Sequence, residues 1–183
     1  MDIRINITNI QIDTKRLILR PWNENDLDDF YEYASVNGCG EMAGWRHHDS
    51  VEISNTILKS FIAEKNVFAV VLKGNDKVIG SIGLHCSWAE DDPKYCNLRL
   101  KEIGYVLSKA YWGQGLMAEA VMSVIEFCFT EYKLDAITIK HFSNNNQSKR
   151  VIEKCGFKFV GQCVGYSSQL QQNVTHMKYI LYR

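Results

Sequence analysis

The 183-residue chain is 46% hydrophobic and 23% charged, the balance of a soluble globular protein with enough length to bury a substantial core. Lys plus Arg and Asp plus Glu number 21 each, so the net charge is zero and a nucleic-acid binder acting through a broad basic field is excluded. The six cysteines form no C-x-x-C pair, Met1 to Thr8 alternates apolar with polar residues rather than forming a leader, and no run is long enough to span a membrane. A cytoplasmic protein with reduced thiols and a single domain over residues 1–183 is expected, with no zinc site and no membrane or nucleic-acid partner.

In chain order, residues 15–22 read as a strand led by Leu17 and Leu19. Residues 24–35 read as a helix capped by Asn23, with Leu27, Phe30, Tyr31 and Ala34 on one face. Residues 37–49 are loop-like, with three glycines, and Ser50 is placed to cap a helix through residue 64. Residues 67–72 and 78–84, joined by Gly74-Asn75-Asp76, carry a hairpin signature. A strand over about 98–107 then leads into Tyr111-Trp112-Gly113-Gln114-Gly115-Leu116-Met117-Ala118. The helix that follows carries an apolar stripe from Met117 to Cys128. A short strand over 135–140, a short helix over 148–155 stopped by Gly156, and strands near 157–163 and 175–181 complete the chain. The order β-α-α-β-β-β-α-β-α-β-β implies a mixed sheet flanked by helices.

The glycine turn carries most of the functional information. Glycine lets backbone N–H groups approach a ligand, and a helix N-terminus bears about half a positive charge, so the two together cradle an anion, most often phosphate. Gly113-x-Gly115-x-x-Ala118 also fits the dinucleotide fingerprint, with Asp135 placed 20 residues after Gly115 as a ribose acid would be. That reading is discounted because Asp135 begins its strand rather than ending it. In addition, an antiparallel hairpin precedes the turn, and about 70 residues after it are too few for two mononucleotide halves. The Gly-Lys-Ser/Thr of a nucleoside-triphosphate loop is absent.

Asn145-Asn146-Gln147-Ser148-Lys149-Arg150-Val151-Ile152-Glu153-Lys154-Cys155-Gly156-Phe157 resembles the Asn-x-x-Ser-x-x-Val-Leu-Glu-Lys-x-Gly-Phe signature of the GNAT acyl-CoA N-acyltransferases. Glu102-Ile103-Gly104-Tyr105-Val106-Leu107 resembles the strand before their pyrophosphate loop. Thr14-Lys15-Arg16-Leu17-Ile18-Leu19-Arg20 resembles the first strand of the ribosomal-protein N-terminal acetyltransferase (RimJ/RimL) type. These blocks stand in the family's order. Trp112 and Met117 depart from the general loop, which has Gln or Arg at the first position and Gly or Ala at the second.

The resemblance implies an α/β (α+β) GNAT fold: a twisted, mixed, mostly antiparallel sheet flanked by helices and splayed at the cofactor site. It implies acetyl-CoA as cosubstrate, without a metal. The pyrophosphate would lie on Trp112, Gly113, Gln114, Gly115, Met117 and Ala118, and the pantetheine arm along the backbones of Val106 and Leu107, with Asn145 binding that arm. Ser148 would protonate the departing thiolate. Ser148 or Asn145 could equally serve only to cap the short helix. Glu102 is the candidate base, against the plainer reading of an exposed strand residue beside Arg99 and Lys101. Trp45, His47, His48 and His85 are candidate substrate contacts. The function implied is acetyl transfer by direct attack of an amine, foremost a protein N-terminal α-amine. The alternatives are a small amine (polyamine, amino acid or antibiotic) and a non-catalytic acyl-CoA-binding module. The family's frequent dimers are compatible with a homodimer.

Overall fold

The computed structural model describes residues 3–183. Its elements are β1 (Ile12–Asp13), β2 (Leu17–Pro21), α1 (Leu27–Ala34), α2 (Val51–Glu64), β3 (Val67–Leu72), β4 (Lys77–His85), β5 (Leu100–Leu107), α3 (Leu116–Thr130), β6 (Ala136–Phe142), α4 (Asn146–Lys154), β7 (Lys158–Ser167) and β8 (Gln172–Tyr182). The strands form one sheet in the order β1-β2-β3-β4-β5-β6-β8-β7. Every neighbouring pair is antiparallel except β5–β6, and α3 supplies the crossover that a parallel pair needs. This is the mostly antiparallel, helix-flanked sheet expected.

Strand alternation sorts the two cores. In β3, Phe68 and Val70 point into the main core beneath α3, while Val67, Ala69 and Val71 pack on the side of α1 and α2. Helix α3 buries nine of its fifteen residues, including Met117 and Ala118. Ile5 and Ile7 are buried in the same core, so residues 5–7 are part of the folded body.

Several boundaries differ from the sequence reading. The first helix is split: Asn23 and Asp26 form a capping box on a 3-10 turn over Glu24–Asp26, and the α-helix starts only at Leu27. Ser50 stands at the N-cap of α2, but its side chain makes no capping bond. The last hairpin is longer than its apolar runs suggest, because β7 is an edge strand with exposed positions that carry no burial signal. β1 is only two residues long and was not anticipated.

The pairing of β5 matters most for the site. Antiparallel to β4, it pairs without interruption from Glu102 to Leu107, so Gly104 hides no bulge. Parallel to β6, it pairs only from Leu100 to Ile103. The sheet therefore opens at Gly104, and β5 continues for four residues with one side unpartnered.

Candidate active site

Two cavities flank this opening. The first, about 330 Å³, is lined by the end of β5, the glycine turn, the first turn of α3 and the inner face of α4. The second, about 440 Å³, is lined by His85, Glu102, Gly104, Lys140, His141, His176 and residues 166–169. Ala43, Tyr105 and Ser148 are in both walls, which marks where the two meet.

The first cavity is built largely from backbone. Gly113 and Gly115 have φ of +77° and +75°, a region that side-chain-bearing residues rarely adopt. Gly115 is the N-cap of α3 and offers no side-chain cap, so the first N–H groups of the helix lack intrahelical partners and are free for an anion. Met117 lines this wall while its side chain lies in the main core, 3% exposed, so its bulk is accommodated there. Gln114 does not line the cavity; its carbonyl accepts from Arg16 Nη1 at 3.0 Å. The Trp112 indole donates to the Leu107 carbonyl at 2.7 Å and ties the turn to the strand end.

The direction of the β5 backbone follows from two bonds. Ser108 N–H donates to Ile79 of β4, whereas the Arg99 carbonyl accepts from Asp135 next to β6. Backbone polar groups alternate along a strand, so even-numbered residues face β4 and odd-numbered ones face β6. Beyond Ile103, Tyr105 and Leu107 therefore turn their backbone groups to the gap. Val106, expected to share that role, turns its backbone to β4 and contributes only its side chain to the wall.

Sequence reasoning missed two cations here. A Cβ at Gly115 would lie 3.7 Å from Lys154 Nζ and 3.8 Å from an Arg16 guanidinium nitrogen, so both charges flank the anion cradle. Arg16 is held by Glu119, whose carboxylate accepts from Arg16 Nε at 2.7 Å, Arg16 N–H at 2.8 Å and Thr14 Oγ1 at 2.6 Å. Burial alone would raise the Glu119 pKa, but these bonds bring it below its ordinary value. For Arg16, a basic residue directly before the apolar run of β2 was the available signal.

Asn145 and Ser148 divide the roles the sequence left open. Asn145 caps α4, its Oδ1 accepting the Ser148 N–H at 3.0 Å while its Nδ2 donates to the Met42 carbonyl at 3.0 Å. The Ser148 hydroxyl is not a cap. It lies 2.8 Å from the Tyr105 hydroxyl at the junction of the cavities. Burial pushes the Tyr105 phenol well above its usual pKa, so it stays protonated. Tyr105 is a third residue that sequence reasoning missed.

Glu102 is buried at 8% exposure in the second cavity. Its carboxylate is 3.0 Å from Lys140 Nζ and also accepts weakly from the Trp88 N–H. His85 lines the same cavity. Trp45, His47 and His48 do not. Trp45 packs over Gly40 and His48, and the His48 Nδ1 is 2.7 Å from Ser54 Oγ in the α1–α2 core. His47 braces its own loop between Glu41 and Asp49. The loop had the right location but folds these side chains inward. Among the described residues no group of three His, Cys, Asp or Glu is placed to hold a metal, and no helix is long and apolar enough to cross a membrane.

An opened sheet, an uncapped helix end at a glycine turn and a serine between two cavities define an acyl-transfer architecture. The family profile described as an acetyltransferase (GNAT) domain matches residues 16–158. The chain belongs to this family of acyl-CoA-dependent N-acetyltransferases. The uncharacterized N-acetyltransferase YoaA of Bacillus subtilis (strain 168) is 26% identical over 163 residues, covering 86% of this chain and 88% of that protein. A GNAT-family acetyltransferase from Bacillus anthracis superposes with a TM-score of 0.81 at 23% identity, covering 94% of this chain and 98% of that one. The ribosomal-protein-S5-alanine acetyltransferase of Vibrio fischeri gives 0.73 at 19% identity, with 95% and 97% covered. The microcin C7 self-immunity acetyltransferase MccE, in complex with acetyl-CoA and AMP, gives 0.76 at 15%, with 93% and 94% covered.

Proposed function

We propose that this N-acetyltransferase moves the acetyl group of acetyl-CoA to the α-amine at the N-terminus of a peptide or protein. The observation that carries this reading is the continuity of the second cavity. It shares Phe142 and Gln169 with a further cleft of about 630 Å³ between the loop at residues 41–46 and the β7–β8 turn. An extended chain entering with its amine at Ser148 has room for several residues behind it. Among the described residues Glu102 is the only carboxylate in the acceptor wall, and Lys140 already pairs with it, which suits one amine better than the several charges of a polyamine.

The residues support direct attack in a ternary complex. The amine nitrogen bonds to the thioester carbon, the C–S bond breaks, the leaving thiolate takes the proton of the Ser148 hydroxyl, and the N–H proton shed as the amide forms returns to the Ser148 oxygen, directly or by exchange through the Tyr105 hydroxyl. The cradle fits the pyrophosphate: positive-φ glycines, free helix N–H groups and the charges of Arg16 and Lys154. Cys39 and Cys155, the cysteines beside the donor cavity, are poor acyl carriers. Burial pushes both thiols up to about 11, and each donates to a backbone carbonyl.

The test is an acceptor screen reading released thiol. Peptides with a free N-terminus should react, and the same peptides blocked at the α-amine should not, even when they contain lysine. Turnover confined to small amines would replace this reading with the small-molecule one. Acetyl-CoA binding without transfer to any amine would favour a binding module.

A further inference from the structure

His85 ends β4 directly opposite Glu102. Its side chain does not continue past the strand; it folds back along the sheet. Any side chain at Gly83 would collide with the imidazole Nε2, and a Cβ at Gly104 would lie 3.4 Å from it. The two glycines, paired across β4 and β5, form a flat platform on which the ring rests. This platform is at the level where β6 leaves β5, so Nε2 is delivered to the mouth of the opening, one residue along β5 from Tyr105. The ring is open to the acceptor cavity, and neither nitrogen has a hydrogen-bond partner among the described residues. Glu102, in contrast, has one oxygen on Lys140 and the other on the Trp88 N–H.

We propose that His85 is the general base of this enzyme, accepting the proton of the substrate ammonium at Nε2 before the amine attacks, while Glu102 anchors that ammonium. The step balances simply: the N–H bond of the ammonium breaks, its electron pair stays on nitrogen to form the new C–N bond, and the proton moves to the imidazole. The inference rests on the amine-acetylation reading but not on which amine is used. The charged groups around the ring are Glu102 and Lys101 on β5, Lys140 on β6 and Glu64 on α2, with His141 and His176 across the cavity. Desolvation lowers the imidazole pKa and Glu102 pulls it back only partly, so the ring is neutral and receptive at pH 7.

The experiment measures kcat/KM against pH for wild type, His85→Ala, His85→Gln and Glu102→Gln, with whichever amine the wild type acetylates best. The His85 variants should lose about 100-fold at pH 7. The deficit should shrink to less than about fivefold once the pH is more than about one unit above the pKa of the amine used, which for an α-amine with a pKa near 8 is near pH 9.5. Added imidazole should restore part of the His85→Ala rate, since the vacated platform can hold it. Unchanged thermal stabilisation by acetyl-CoA confirms that the variants are folded. A pH-independent deficit without imidazole rescue, or His85 variants within about twofold of wild type while Glu102→Gln loses the acidic limb, overturns the proposal. A wild-type protein that acetylates no amine overturns both this assignment and the reading it rests on.

Discussion

The donor and acceptor cavities share three residues but are built from different materials. The donor cavity is built mainly from the end of β5 and the glycine turn that follows it, closed by α4 and by residues 39–43, and its anion cradle is made of backbone N–H groups at a helix end. Side chains there matter mainly where glycine is required or where a cation stands by. The acceptor cavity is assembled chiefly from β4, β5 and β6 and from the residues around the β7–β8 turn, with His85, Glu102 and Lys140 in its wall. On the function proposed, the backbone of the donor half serves the reaction common to the family. A handful of side chains in the other half determines what is acetylated, and these can change without disturbing the fold.

Ser148, which belongs to both halves, gives the largest expected effect. Ser148→Ala should lower kcat about 100-fold, with KM for acetyl-CoA within about threefold. Stability should not change, because Asn145 caps α4 through the Ser148 N–H, which alanine retains. A raised KM with kcat intact would assign Ser148 to the donor half alone and break the comparison. The next effect falls wholly in the donor half. Valine at either glycine must take a left-handed φ at a cost of about 1–2 kcal/mol, roughly a tenfold weaker hold on acetyl-CoA by calorimetry. Gly115→Val should be the worse of the two, since its methyls also crowd Lys154 and Arg16, whereas a Cβ at Gly113 meets nothing within 4 Å. Unaltered affinity in both variants would remove the pyrophosphate from this turn.

The same contrast explains what could be read before the structure. The glycine turn and the short helix stood out because their marks are local: two glycines, a helix start and a capped short helix all lie within about fifty residues, although the turn by itself fits two cofactors until the block from Asn145 to Phe157 is read beside it. The order of strands and helices along the chain followed from periodicity, apart from the two-residue β1 and the exposed edge β7, whereas the order of the strands within the sheet did not. The acceptor half was not legible. Nothing in the sequence shows that His85 folds back over Gly83 and Gly104, because that depends on register across two strands. Nor does it show that His48 turns into the α1–α2 core while Tyr105 meets Ser148. A neighbourhood could be predicted for the loop at residues 37–49, but not the direction of its side chains.

That loop also holds the segment where the two halves touch. Met42 and Ala43 line the donor cavity, Ala43 also lines the acceptor cavity, and the Met42 carbonyl is held by Asn145. Its shape is maintained from the other side by Glu41, whose carboxylate accepts from the Gly38 N–H at 2.6 Å, the His47 N–H at 3.1 Å and His47 Nδ1 at 2.7 Å. Burial alone would raise the Glu41 pKa, yet the His47 and loop bonds bring it down to about 2. A carboxyl depressed in the folded state stabilises at pH values above its unfolded pKa, near 4.3, and loses that contribution as pH falls towards 2. The side chain is about a quarter exposed, so solvent screening limits the contribution to about 1 kcal/mol, or roughly 2–4 °C in Tm for a chain of this length. Glu41→Gln should therefore melt a few degrees below wild type at pH 7, and the gap should narrow at pH 3. A gap of the same size at both pH values would assign the effect to hydrogen-bond geometry rather than charge. Because this segment walls both cavities, the variant should raise KM for acetyl-CoA and for the amine together; a rise in only one would show that the two halves are held independently.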